Sequence, residues 1–222
     1  MTGPGRKAIA ALLLSALWAG PALAWDVGFN FRATSGYVTD VSPSTFASMG
    51  VTTYPTVRTV NGQPITFGWE SASPSSTFTR DRSSGVDSRL AGLNCQINNG
   101  GSSVFRVDLP ALGTYSIGLA LGDAVANNPQ NNHVRISSTS VVLASVDVNT
   151  NQFVADATGA ISLPAQWPTA NVSIQKTFSS TILRVQLSGQ SDSNSTCISH
   201  LRVTLVRAAQ LQTARPGQFL FQ

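Results

Sequence analysis

Alternation between apolar and polar residues governs the chain from Val27 onward. Val27, Phe29 and Phe31 fall on one side of an extended segment. Phe105, Val107 and Leu109 repeat the pattern. Beyond a turn at Pro110 to Gly113, so do Tyr115, Ile117, Leu119 and Leu121. Val134 and Ile136 alternate with His133 and Arg135, and Val141 to Val148 reads as one long buried strand. Val172, Ile174 and Phe178 share a face, as do Leu183, Val185 and Leu187 after Ser179-Ser180. Leu201, Val203 and Leu205 come last, in phase with Cys197. A period of two sends successive side chains to opposite faces of a strand, and no stretch sustains the i, i+3, i+4 spacing of an amphipathic helix. Clusters of Gly, Asn, Pro and Ser, such as Asn98 to Ser103 and Asn127 to Asn132, punctuate the strands.

Short strands at this spacing, with no crossover helices, predict an all-β fold: a two-sheet antiparallel jelly-roll β-sandwich. The inward faces are too apolar for the water-filled lumen of a membrane barrel. Residues 39–76, rich in Pro, Ser, Thr and aromatics and weak in periodicity, are expected to form long loops at one end of the sandwich.

The exception to the alternation lies at the front. Arg6 and Lys7 precede an apolar run from Ala8 to Trp18, Gly20 and Pro21 break it, and Ala22-Leu23-Ala24 supplies a small-x-small cleavage site. About eleven apolar residues at about 1.5 Å each fall short of a roughly 30 Å hydrocarbon core, so the run is read as a signal peptide, not a membrane insertion. No cysteine stands directly after it and Arg6-Lys7 is not a twin-Arg pair, which favours the general secretory route and a secreted or periplasmic product. The expected organisation is a leader over 1–24, one sandwich domain over 25–207 and a peripheral tail over 208–222.

Composition sharpens this. The formal net charge of +4 falls to about +2 once Arg6 and Lys7 are removed, and the remaining basic residues are scattered. That argues against nucleic acid as a partner. Charged residues make up only 11% of the chain, as suits an extracellular surface wetted by neutral polar groups. The two cysteines, Cys95 and Cys197, both follow the leader; an oxidising compartment favours a disulfide between them, two free thiols being the alternative.

Several motifs then occur in a telling order: Val27-Gly28-Phe29-Asn30-Phe31, Gly36-Tyr37-Val38, Phe67-Gly68-Trp69-Glu70, Arg80-Asp81-Arg82, Phe105-Arg106-Val107-Asp108-Leu109-Pro110, Tyr115-Ser116-Ile117 and Leu121-Gly122-Asp123. Together they resemble the galactose-binding-like, malectin-like β-sandwich domains. The likeness is greatest to the non-catalytic module that precedes the catalytic domain of rhamnogalacturonan acetylesterases. The resemblance implies a jelly-roll sandwich and makes carbohydrate a plausible ligand. Two departures stand out: Phe29-Asn30-Phe31-Arg32 replaces Phe-Asp-Phe-Gly, and Ala111-Leu112-Gly113 replaces an Asn-Gly turn.

The inventory of catalytic groups is thin. His133 and His200 fall out of phase with the core residues and are expected at the surface or in a second layer. No G-x-S-x-G elbow is present, and Gly122-Asp123-Ala124 lacks the serine of a GDSL-type hydrolase. Glu70 is the only glutamate, and Asp81 between two arginines suits an ion-pair brace better than a general acid. A lyase with Tyr37 or Tyr54 as base and Arg80 as a carboxylate clamp is the least favoured reading. A sugar site needs a flat apolar platform and polar groups for hydroxyls. Tyr37 and Trp69 are candidates for the first, and Arg80, Arg82 and Asp123 for the second, with Asp81 as structural brace. No zinc spacing or calcium-loop motif occurs, so no metal or cofactor is expected; a structural calcium on carbonyls and Asp123 or Asp192 is left open. The favoured function is a secreted, non-catalytic module for extracellular poly- or oligosaccharide. A structural or adhesive protein that binds another protein is the alternative. Oligomeric state is not encoded.

Overall fold

Branched and aromatic residues at every second position bury one face of each strand, and the two buried faces meet. In the computed structural model these strands form two stacked sheets. The structure describes residues 25–32, 40–41, 53–71, 77–81, 92–96, 101–121, 132–139, 141–148, 153–155, 160–162, 172–188 and 196–209. Among them there is no helix. The first sheet runs β13 (Val172–Phe178), β8 (Gly113–Leu121), β15 (Thr196–Ala208), β1 (Asp26–Asn30) and β2 (Asp40–Val41), with β6 (Gly92–Gln96) also on β15 and β5 (Thr77–Asp81) on β6. The second runs β12 (Ala160–Ser162), β11 (Phe153–Ala155), β10 (Val141–Val148), β9 (Asn132–Ser138), β14 (Ile182–Ser188), β7 (Ser102–Asp108), β4 (Gln63–Ser71) and β3 (Thr56–Val60). Neighbouring strands are antiparallel except β1 and β2.

Strand order defines the fold. The sets β1-β15-β8-β13 and β7-β14-β9-β10, numbered by chain order, read 1-8-3-6 and 2-7-4-5. That is the double Greek key of a jelly roll. β2 to β6 are insertions between its first and second strands. They widen both sheets: β3 and β4 beside β7, β5 and β6 beside β15.

Most of the predicted faces are the observed ones, but Val141, read as the start of a long buried strand, is 59% exposed, and Leu143 is only partly buried. Phe29 and Phe31 from the first sheet meet Phe67, Trp69 and Phe105 from the second in a run of edge-on and tilted rings 5.1–6.1 Å apart. Such geometry suits the ring quadrupoles as well as burying area. Tyr115, Ile117, Leu119, Leu183, Val185, Leu187, Leu201 and Val203 complete a core excluded from water.

The structure corrects three further expectations. Part of the segment expected to be loops, 39–76, is the hairpin β3–β4. Its two-residue Asn61-Gly62 turn, with φ of 50° and 76°, is the Asn-Gly type I′ turn whose twist matches that of the strands. Second, Cys197 is out of phase with Leu201. A register shift between Ile198 and His200 turns Ile198 into the main core and leaves Cys197 in a separate buried cluster with Cys95 and Leu93. Third, of the two positions expected for His200, the surface or a second layer, the same irregularity leaves it buried at 6% exposure and so rules out the surface.

Candidate functional site

Several strand ends come together at one end of the sandwich. Ser102 pairs with Ser188, Ser188 with His133, Asn132 with Val148, Thr196 with Gln96, and Ile198 with Leu121. Residues 97–100, 122–131 and 189–195 therefore all join the sandwich at this end. Beneath it lies a layer of buried polar residues: Asn30, Asn94, Gln96, Ser103, Thr196 and Ser199, with His200 alongside. The Ser103 hydroxyl donates to Gln96 across the two sheets, and Thr196 Oγ1 accepts from the His133 backbone N–H while donating to the Ser188 carbonyl. These bonds satisfy groups that would otherwise cost stability when taken out of water.

Of the residues expected to bind ligand, Tyr37, Arg82 and Asp123 lie outside the described residues. Arg80 and Asp81 stand on β5, opposite Leu93 and Gly92 of β6. Trp69 is 2% exposed, packed against Phe31 and Phe105. Its position between the sheets makes it core, and it offers no open platform to a sugar ring. Trp69 belongs to the second sheet and Arg80 to the first, so the backbone does not bring these two together as one face. The Cys95–Cys197 disulfide is present, joining directly opposed residues of β6 and β15.

A cluster that the sequence reading did not assemble sits on the outer face of the second sheet. Arg106 and Arg184 are opposite one another across β7 and β14, a like-charge pair that is unfavourable by itself. Glu70 resolves it. A register shift after Trp69 sets Glu70 where Arg184 grips its carboxylate with Nε (2.5 Å) and Nη2 (2.9 Å), and Arg106 adds a third bond (3.0 Å). Arg106 also donates to Asp108 (2.8 Å), which accepts the Tyr54 hydroxyl (2.9 Å), and its guanidinium lies 4.2 Å over the Tyr54 ring. Gly68, at φ 148°, makes the close approach possible, because a Cβ there would overlap the backbone of Thr53 and Tyr54.

The chemistry of this cluster is closed. The hydrogen bonds from Arg184 hold the Glu70 carboxyl below its ordinary range, so it stays ionised and has no proton to deliver. Desolvation, then the bond to Asp108, raises the Tyr54 phenol, so it is a poor base at neutral pH. On the other sheet, the Arg202 hydrogen bond likewise lowers the Asp26 carboxyl, which also accepts from Thr204. Each of these carboxylates is committed to a brace. Among the described residues, no group of three or more His, Cys, Asp or Glu side chains is placed to hold a metal.

The opposite end of the sandwich, where tight turns join β3 to β4 and β7 to β8, is built differently. A cleft of about 180 Å³ opens there beside Trp25. Trp25 is 7% exposed, its ring edge-on to Tyr115 at 6.0 Å and its carbonyl bonded to the Leu205 N–H. Val60, Ile65, Pro110 and Leu205 supply apolar wall, while Asn61, Gln63 and Asp26 supply the polar groups. Asn61 and Gln63 are exposed.

No protein-family model and no curated protein matches the chain. Solved structures do resemble it. YxiM from Bacillus subtilis shares 13% identity over 82% of this chain and 40% of its own, with a TM-score of 0.47. The chain thus spans about two fifths of that protein's length. The C-terminal CBM6 of LamC, a marine laminarinase from Zobellia galactanivorans, shares 20% identity over 58% of this chain and 88% of its own (TM-score 0.34). A family 35 carbohydrate-binding module from Clostridium thermocellum shares 12% identity over 69% and 98% (TM-score 0.36). None of these three reaches a TM-score of 0.5, and the jelly-roll assignment rests on strand order.

Proposed function

We propose that this protein is an exported, non-catalytic carbohydrate-binding β-sandwich. The observation that carries the reading is the Trp25 cleft. It combines apolar wall for a ring face with exposed side-chain amides for hydroxyls, the pairing that sugar recognition requires. The carboxylates of Glu70, Asp108 and Asp26 are spent on arginine, threonine and tyrosine partners, which supports binding over acid–base catalysis. Engagement of the chain from Trp25 onward supports cleavage after Ala24. The test is a pull-down of the exported protein on insoluble plant, algal and bacterial polysaccharides, with mass spectrometry of its N-terminus. Retention on at least one polysaccharide and a chain starting at Trp25 are expected; loss of all retention overturns the binding function.

The burial of Trp69 favours a second reading, an adhesive or scaffold protein whose ligand is another protein. Self-association in analytical ultracentrifugation that free sugars leave unchanged, together with no polysaccharide retention, would establish it.

A further inference from the structure

The geometry points to a specific ligand class for the Trp25 cleft: one ring of a neutral sugar chain, bound at the turn end of the sandwich, opposite the end where Ser102, Asn132 and Thr196 sit. This deepens the carbohydrate reading and rests on it. Volume limits the occupant. About 180 Å³ lies below the roughly 300–1,000 Å³ of pockets for drug-sized ligands, and suits a single ring.

Charge selects among rings. Among the described residues, the one ionisable side chain lining the cleft is Asp26, kept anionic by Arg202 and Thr204. Its Oδ1 accepts from both Arg202 Nε and Thr204, and among the described residues its Oδ2 accepts the Arg202 Nη2 bond alone, so a carboxylate that the brace keeps from acting as an acid can still accept a hydroxyl. Asp26 is neutralised by Arg202, so what the described lining offers is hydroxyl acceptors and no basic side chain to pair the anion of a uronate or a sulfated ring. Asn61 and Gln63 flank the Gly62 turn, and each amide carries both donors and an acceptor, which matches vicinal hydroxyls. The type I′ turn fixes the backbone positions from which both side chains leave. Trp25 and Leu205 close the apolar side against the ring face.

The experiment is calorimetric titration of the exported protein with neutral oligosaccharides of galactose, glucose, mannose, xylose, arabinose or rhamnose, two to six rings long, beside galacturonate oligosaccharides. At least one neutral series is expected to bind with affinity that changes less than threefold between two and six rings. Gln63→Ala should weaken it at least fivefold with the melting temperature unchanged, and Asp26→Asn should narrow the preference over galacturonate. Binding that Gln63→Ala leaves intact moves the site elsewhere on a sandwich that still binds sugar. Tighter binding of galacturonate overturns the neutral assignment. Silence across the whole panel, with no polysaccharide retained, removes the carbohydrate reading itself.

Discussion

Glu70 decides whether the outer face of the second sheet holds together. Replacing it with Gln leaves Arg106 and Arg184 opposed with no anion between them, although Asp108 still holds Arg106. The side chain is 21% exposed, so water screens the pairs, and a loss of about 1–2 kcal/mol is expected in urea unfolding at pH 7. The pH dependence follows from direction. Glu70 and Asp26 both have folded-state values lowered by arginine, so their contributions are complete above the ordinary carboxylate range. They fade as pH falls through the lower folded values. Wild type should therefore lose stability on acidification, and Glu70→Gln should lose less over the same interval. An equal acid loss in both would remove Glu70 from the account. The sequence showed one lone glutamate and nothing of this arrangement. Alternation puts Glu70, Arg106 and Arg184 on outward positions, but three strands far apart in the chain must pair before they meet, and the shift after Trp69 aims the carboxylate.

At the scale of elements, two glycines of one hairpin separate turn strain from packing. Gly62 has φ of 76° with open space around it, so Gly62→Ala meets only the cost of a left-handed backbone, about 1 kcal/mol. Gly68 has both an unfavourable φ and the backbone of Thr53 and Tyr54 where a Cβ would go. There the Tyr54 N–H bonds the Trp69 carbonyl, so the neighbour is held in place. Gly68→Ala should cost about 3 kcal/mol or more, by thermal or urea melting of the two variants side by side. Similar small losses would mean that the 53–55 segment yields. Most of the eight jelly-roll strands were legible because one buried face gives alternation, as in β7 and β14. β3 was not, since its middle residues Val57, Arg58 and Thr59 are exposed and follow no burial rhythm. Asn61-Gly62 was the available signal for that hairpin. β6 was also hidden: all five of its residues are buried, including Asn94 and Gln96, so neither alternation nor hydrophobicity marks it. Phase failed at β15 because a bulge has no reliable signature in sequence.

For the whole molecule, the disulfide joins a weakly attached arm of the first sheet to its longest strand. β6 meets β15 through only three register pairs, Thr196–Gln96, Cys197–Cys95 and Ile198–Asn94, whereas β8 runs beside β15 from Ile198 to Ala208. The bond spans a sequence separation of 102, for which loop-closure entropy gives an upper bound of about 4–5 kcal/mol. It also fills a small cluster with Leu93, separate from the main core. Replacing both cysteines with Ala should therefore act at two levels. Global stability in urea falls by up to that bound, because the unfolded chain regains the entropy of an open loop. Locally, β5 and β6 lose their staple, and a three-pair ladder is a short one to resist opening on its own. Native-state hydrogen exchange distinguishes the two levels. In the double variant, amides of β6 should exchange through a local opening well below the global unfolding free energy, while those of Tyr115, Ile117 and Leu119 in β8 stay at the global limit. If β6 keeps the protection of β8, the arm is held by its ladder and by the Ser103–Gln96 bond to the second sheet. The disulfide then acts on the unfolded chain alone.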